Sequence, residues 1–282
     1  MKKLTILFVF VFACTMSFAQ TNSSNTQQEG DENATSVTQV GNQNVSFVRQ
    51  TGNDNSVAAV QKGAANNGEM QYTGNNNVVA LTQIGDNNNN INLLTGDNNT
   101  ATSTSEGNLN TIRQEAITDN SNLIGFQQGN NNKIVQNITG SGLGNNQTVA
   151  NTVGNDNLVT QEMSGENSNI LVDQFGDANT TILQQTGVSN NVSALQEGNN
   201  NTIVGAQNGN NNFAGGQNDV ELSQVGDENL IELSQQGSMN TSATFQVGNQ
   251  NVSSNNQNGA SHINLVNQTG NGNTVGVTQT EN

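Results

Sequence analysis

Counting in steps of two from Asn44 gives Asn44, Ser46, Val48 and Gln50. The same count gives Asn55, Val57, Ala59 and Gln61, and later Asn229, Ile231, Leu233 and Gln235. Alternate residues of a strand face the same way, so each unit presents Asn, two small or apolar residues and Gln on one face. Intervening positions such as Val45, Phe47 and Arg49, or Leu230, Glu232 and Ser234, face outward and are mixed. Between units stand Gly-Asn-Gln, Gly-Asp-Asn and relatives, residues that tolerate positive φ and tight turns. The pattern predicts strands of roughly six or seven residues, each followed by a turn.

The units recur every eleven residues, and of 22 frames marked from Gly30 to Gly270, 21 carry Gly, with Thr118 the exception. Three residues later 18 of 22 have Asn, the departures being Ser121, Leu143, Ser168 and His262; two residues earlier 15 of 22 have Gln. Eleven residues also make three α-helical turns, but a Gly and several Asn in every unit are unfavourable in helix interiors. The β reading makes each unit half of a 22-residue, two-strand rung. The predicted fold is all-β, a β-solenoid of about eleven stacked rungs, roughly 50 Å long at about 4.8 Å per rung. The frame slips by three residues near 141–143 and by six between 210 and 225, as insertions in surface turns do.

Stacking sets Asn on Asn and Gln on Gln, so that side-chain amides can bond in ladders. The predicted ladder positions in the first half are Gln39, Asn44, Gln50, Asn55, Gln61, Gln83, Asn88, Gln127 and Asn132. In the second half they are Gln174, Asn179, Gln185, Asn190, Gln196, Asn201, Gln207, Asn229, Gln235, Asn240, Gln246, Asn251, Gln268, Asn273 and Gln279. The predicted turn glycines are Gly41, Gly52, Gly63, Gly74, Gly85, Gly96, Gly176, Gly187, Gly198, Gly226, Gly237, Gly248 and Gly270. Four inward apolar residues contribute about 1.5–3 kcal/mol each, while ordering 22 residues costs about 1–2 kcal/mol each. One rung therefore cannot stand alone, and its deficit is met by bonds to stacked neighbours. The end rungs leave strand edges that natural proteins usually block with Pro or Lys. This chain has no Pro, Lys is scarce, and the unit Asn273, Val275, Val277, Gln279 is a good strand, so the edges invite another copy.

Residues 1–19 are a different material: Lys2 and Lys3, an apolar run from Leu4 to Ala13, then Ser17-Phe18-Ala19. They read as a secretory signal peptide, followed by a short leader over 20–27 and the repeats over 28–282. Cys14 could be the lipidated residue of a lipoprotein signal, but bulky Phe12 fits that motif poorly, which favours cleavage before Gln20. The only cysteine lies in that segment, so the mature chain has no disulfide or thiolate metal site. It keeps four basic residues (Arg49, Lys62, Arg113, Lys133) against 22 acidic ones. Such a chain lacks the basic footprint of a nucleic-acid binder, and nothing after the signal is apolar for long enough to span a membrane.

The unit Gln39-x-Gly41-x-x-Asn44-x5-Gln50, with its returns over nearly all of the mature chain, resembles the curlin repeat of bacterial curli subunits. The resemblance implies a secreted structural subunit that polymerises into extracellular functional amyloid, a fimbrium serving adhesion and biofilm matrix. It implies as partners further copies of itself, a second curlin-like nucleator subunit and outer-membrane secretion and assembly factors. Asn usually stands where that family has Ser, and the middle of the chain replaces Gln with Leu94, Ser105, Ala116, Ile138, Thr152 and Met163.

Other chemistries find little support. His262, the sole histidine, occupies an Asn slot and reads as a substituted ladder position, so no catalytic residue, cofactor or metal site is assigned. The acids that follow Gly (Asp31, Asp86, Asp97, Glu166, Asp177, Asp227) could hold Ca²⁺ in stacked turns. They alternate with Asn53, Asn75, Asn130, Asn155 and Asn199 in the same place, which favours a turn role. An ice-binding solenoid needs a regular Thr array, and Thr100, Thr102 and Thr104 form only a short row. A monomeric β-solenoid adhesin is the remaining alternative, and it needs capped ends.

Overall fold

The computed structural model describes residues 21–140, 144–214 and 222–281. The expected signal peptide, with Cys14, lies outside the described residues. Among these residues every regular element is a β-strand. The strands alternate between two parallel sheets: Ser23–Glu29, Val45–Thr51 and Asn67–Thr73 open the first, Ala34–Asn42, Ser56–Ala64 and Val78–Ile84 the second. Neighbours in a sheet are one rung apart, Val45 beside Asn67 and Asn67 beside Asn89, so the 22-residue period is the pairing register itself. This is a β-solenoid of two-strand rungs, as the alternation predicts.

Burial follows the same alternation. In Val45–Thr51 the inward Ser46, Val48 and Gln50 are buried with Asn44, while Val45 and Arg49 are exposed. The inward apolar residues form one cluster running from Val48 to Leu233. Segment 20–27, read from sequence as a leader, joins the stack from residue 23, where strand Ser23–Glu29 pairs with Val45–Thr51. Ala19 stands where a turn glycine would mark this unit, which hid it from the frame count.

All thirteen predicted turn glycines have positive φ. At Gly63, with φ of 121°, an added Cβ would also lie 2.0 Å from the Gly85 carbonyl oxygen of the next rung. Conformation and stacking thus both demand glycine. Two residues after it the chain enters the left-handed region again, at Asn76 and Asn87 but also at Ala65, Leu109 and Met239. That second positive φ has no fixed residue type, and for the side chains without a local amide or carboxylate it is strained.

The two frame slips differ. The first widens the pairing from 22 to 25 residues, Asn122 beside Gln147, and its extra residues fall in the connection between strands Lys133–Thr139 and Gln147–Val153. This connection lies directly over Thr118, the one frame without Gly, and Asn146 instead of Leu143 takes the Asn slot. A Cβ beneath an ordinary turn would strike the next carbonyl, so the missing glycine and the longer turn occur together. The second slip is not in a turn. Ala214 pairs with Val192 at a spacing of 22 and Leu222 with Ala194 at 28, so the six extra residues interrupt a strand, which resumes with Leu222 and Gln224 buried. Resuming there returns an apolar residue and a Gln to the inward columns, which decides where the break can heal.

Gly63→Ala should lower stability by about 2 kcal/mol or more, since it combines a left-handed conformation with a backbone collision. Gly276→Ala, with open space around it and no positive φ, should not. Thermal unfolding of unassembled chain by circular dichroism distinguishes the two.

Candidate assembly site: the amide ladders

The Asn that opens each first-sheet strand builds an unbroken column: Asn22, Asn44, Asn66, Asn88, Asn110, Asn132, Asn157, Asn179, Asn201, Asn229, Asn251 and Asn273. From Asn22 to Asn251 each Oδ1 accepts the backbone N–H of the Asn one rung on, at 3.0–3.1 Å throughout. Each interior Nδ2 reaches a turn glycine carbonyl of the next rung, as Asn44 does to Gly63 at 2.9 Å and Asn132 to Gly154 at 2.7 Å. A short side chain with an acceptor and a donor in one plane is required, and Asn supplies both. The second-sheet column runs through Asn55 and Asn190 to Asn240, with Ser121 and Ser168 in two slots. His262 closes it, its backbone N–H donating to Asn240 Oδ1 and its ring contacting the Asn258 carbonyl.

Gln columns stand at the other end of the strands. In the second sheet Gln39 Nε2 donates to Gln61 Oε1 and Gln61 to Gln83, both at 2.8 Å. After Ser105, Gln127 and Thr152 the column resumes as Gln174, Gln196, Gln224, Gln246 and Gln268 at 2.7–3.0 Å. The second hydrogen of the amide crosses to the facing sheet, from Gln61 to the Val45 carbonyl and from Gln268 to that of Val252. In the first sheet Gln28 bonds Gln50, and Gln185, Gln207, Gln235, Gln257 and Gln279 form a run at 2.8 Å. One amide therefore ties rung to rung and sheet to sheet.

Between those runs the first-sheet column is Tyr72, Leu94, Ala116, Ile138 and Met163, all buried. The ladder is displaced there, not lost. Gln114, Gln136 and Gln161 occupy the inward position two residues earlier and bond along the stack at 2.7 and 2.8 Å. They also cross to the Thr102, Ile124 and Val149 carbonyls. Polar and apolar columns have exchanged places. Every restart leaves its first acceptor unmet: Gln114, Gln174 and Gln185 each have a buried Oε1 without a partner. The ladders therefore have a direction, with Nε2 pointing toward the C-terminal rungs.

A third column, not assigned from sequence, lies at the residue after Gly. Asn53 donates its backbone N–H to Asn75 Oδ1, Asn75 to Asp97 and Asp97 to Asp119, at 2.7–2.9 Å. The shared element is an Oδ1 acceptor, to which Asn75, Asn130, Asn155 and Asn199 also donate their Nδ2, so Asp and Asn alternate freely. Of the acids weighed as calcium ligands, four are acceptors in this column: besides Asp97, the Oδ1 of Asp86 accepts from Ala64, that of Asp177 from Asn155 and that of Asp227 from Asn199. The sequence signal was present as Asn or Asp in that slot.

Two outcomes follow. Tyr72 is the only tyrosine, fully buried with an unpartnered hydroxyl, and burial pushes its phenol well above the usual range. Its raised folded value leaves stability intact below about pH 10, the unfolded value, and removes it as pH rises further. Absorbance titration should show no tyrosinate until unfolding, and Tyr72→Phe should abolish the alkaline loss. Gln136→Ile should cost about 1–3 kcal/mol for each neighbour left unmet. Adding Ile138→Gln should not restore stability, because Gln114 and Gln161 hold the displaced column; thermal unfolding of both variants checks this.

Residues 30–63 and 176–204 match the family model of the curlin associated repeat. Comparison with curated proteins finds no match. Both matched stretches carry the Gln, Gly and Asn columns described above, and over them the chain is similar to the curlin associated repeat.

Proposed function

We propose that this chain is a secreted subunit that adds end to end into extracellular curli-like fibres, which serve adhesion and biofilm matrix. In this reading residues 1–19 are removed as a signal peptide, and outer-membrane factors and a nucleating curlin-like subunit act before the fibre grows. The family match supports a structural subunit. The observation that carries assembly is the state of the outermost described strands. Ser23–Glu29, Ala34–Asn42, Ile263–Thr269 and Thr274–Thr280 each pair on one side only.

The ladders make the two ends complementary. Toward the C-terminal side Gln268 and Gln279 spend one amide hydrogen on the cross-sheet bond, to Val252 and Ile263, and hold a second without a partner among the described residues. Toward the N-terminal side Gln28 and Gln39 donate but receive nothing on Oε1 among the described residues. Donors at one end and acceptors at the other generate a head-to-tail contact, which does not close and propagates as a filament. Addition converts half-exposed inward residues such as Val275 and Val277 into core.

Purified mature chain should form thioflavin-positive fibrils with a meridional spacing of about 4.7–4.8 Å. A chain that stays monomeric for days at tens of micromolar would falsify the polymer and favour the adhesin. Gln279→Leu should slow elongation from preformed seeds about fivefold, the worth of roughly 1 kcal/mol for one bond. The same change at interior Gln127 should leave the elongation rate unchanged; equal effects at both sites count against growth at the ends.

A further inference from the structure

The described stack begins and finishes on the same sheet. Along the path, Ser23–Glu29 lies on the first sheet and Ala34–Asn42 on the second; at the far side Ile263–Thr269 lies on the second and Thr274–Thr280 on the first. Beyond Thr274–Thr280 the next position on the path is therefore over Ile263–Thr269, on the second sheet. We infer that successive copies in the fibre are turned by half a revolution about its axis, so that the first sheet of one molecule continues into the second sheet of the next. This rests on the end-to-end growth proposed above and on removal of the segment before residue 20.

The half-turn is what lets all four open edges pair. Ser23–Glu29 of the incoming copy then lies on Ile263–Thr269, and its Ala34–Asn42 lies on Thr274–Thr280. Without rotation Ser23–Glu29 would sit on Thr274–Thr280, and Ala34–Asn42 would be held one strand spacing too far from Ile263–Thr269. Two edges would stay unpaired with their backbone groups unmet.

Side chains agree with the same junction. Gln268 Nε2 meets the incoming Gln28 Oε1, and Gln279 Nε2 meets Gln39 Oε1, continuing both ladders in their observed direction. Asn273 Oδ1, which accepts nothing among the described residues, receives the backbone N–H of the incoming Asn33, as every interior Asn does for its successor. In the core columns Val277 stacks on Val37, already packed against the core, and Asn264 stacks on Ser24. The unrotated junction would set Val277 on Thr26 and Val275 on Ser24. The rotation is possible because the eleven-residue units of the two sheets present the same Asn and Gln positions. Its consequence is an axial repeat of two molecules, about 110 Å at about 4.8 Å per rung, with the first sheet facing opposite sides in alternate molecules.

Disulfide trapping decides between the junctions, because stacked residues about 4.8 Å apart fall inside the Cα window of a disulfide. The side chains at Ser23, Ala34 and Thr274 all face outward, and the only native cysteine lies in the segment proposed to be removed. Fibres of the Thr274→Cys, Ala34→Cys double variant, oxidised after assembly and dissolved under denaturing conditions, should run mostly as covalent multimers. Fibres of Thr274→Cys with Ser23→Cys should dissolve to monomers. Multimers from the second pair, or from neither, overturn the half-turn. Thioflavin signal and electron microscopy of the same samples report separately whether fibres exist, so absence of fibres counts against the polymer and not against the junction.

Discussion

A side-chain amide taken out of water must find partners for an acceptor and two hydrogens, and leaving one unmet costs about 1–3 kcal/mol. This interior is filled with such amides, from Asn44 and Gln61 to Asn251 and Gln257, all buried. The arrangement that satisfies so many identical groups at once is parallel, in-register stacking at the strand spacing, with each amide bonding the equivalent one above it. Register, the parallel sense of both sheets and the constant rung length follow from that requirement. Apolar burial is secondary here: Val45–Thr51 buries one inward apolar residue and Ser56–Ala64 two, whereas Thr241–Val247 and Val252–Ala260 bury none.

Breaks in the pattern show how strictly it is held. Where apolar side chains take over the first-sheet Gln column from Leu94 to Met163, Gln114, Gln136 and Gln161 restore a ladder two residues away, keeping polar on polar and apolar on apolar. Where Gly is replaced by Thr118, the turn above it is longer. Where six residues interrupt a strand, the chain re-enters with Gln224 in line between Gln196 and Gln246. The first-sheet Asn column alone has no interruption, and it holds both the next backbone N–H and the next turn carbonyl, so it fixes the corner on which each rung is laid.

Direction is a second result of the amides. Each Gln donates toward the C-terminal rungs and each Asn accepts from them, so the stack has unlike faces at its two ends. In the proposed fibre, growth then has one sense, and a subunit approaching backwards with its C-terminal face sets Gln donor against Gln donor. The acids lie largely on turns and outer faces, outside the Gln ladders, and the formal net charge of −16 for the whole sequence disfavours non-specific association.

The sequence by itself determined the strand period, the inward face, the turn glycines and the solenoid. Alternation of two and recurrence of eleven leave one geometry in which Asn, Gly and Gln each repeat in space. It also carried the family resemblance, through Gln39, Gly41, Asn44 and Gln50. What it left undecided was where neighbours over many rungs act together. That Gln136 belongs to a ladder is visible only beside Gln114 and Gln161, because locally it occupies an apolar slot. The strand of residues 23–29 lacked its marker glycine, the six-residue slip looked like a turn, and the Asn or Asp after Gly looked like a surface choice until the backbone N–H of the rung below was set against it. Tertiary structure decided these because a one-dimensional frame records each residue's own position, whereas ladder membership is a property of three successive rungs at one height in the stack.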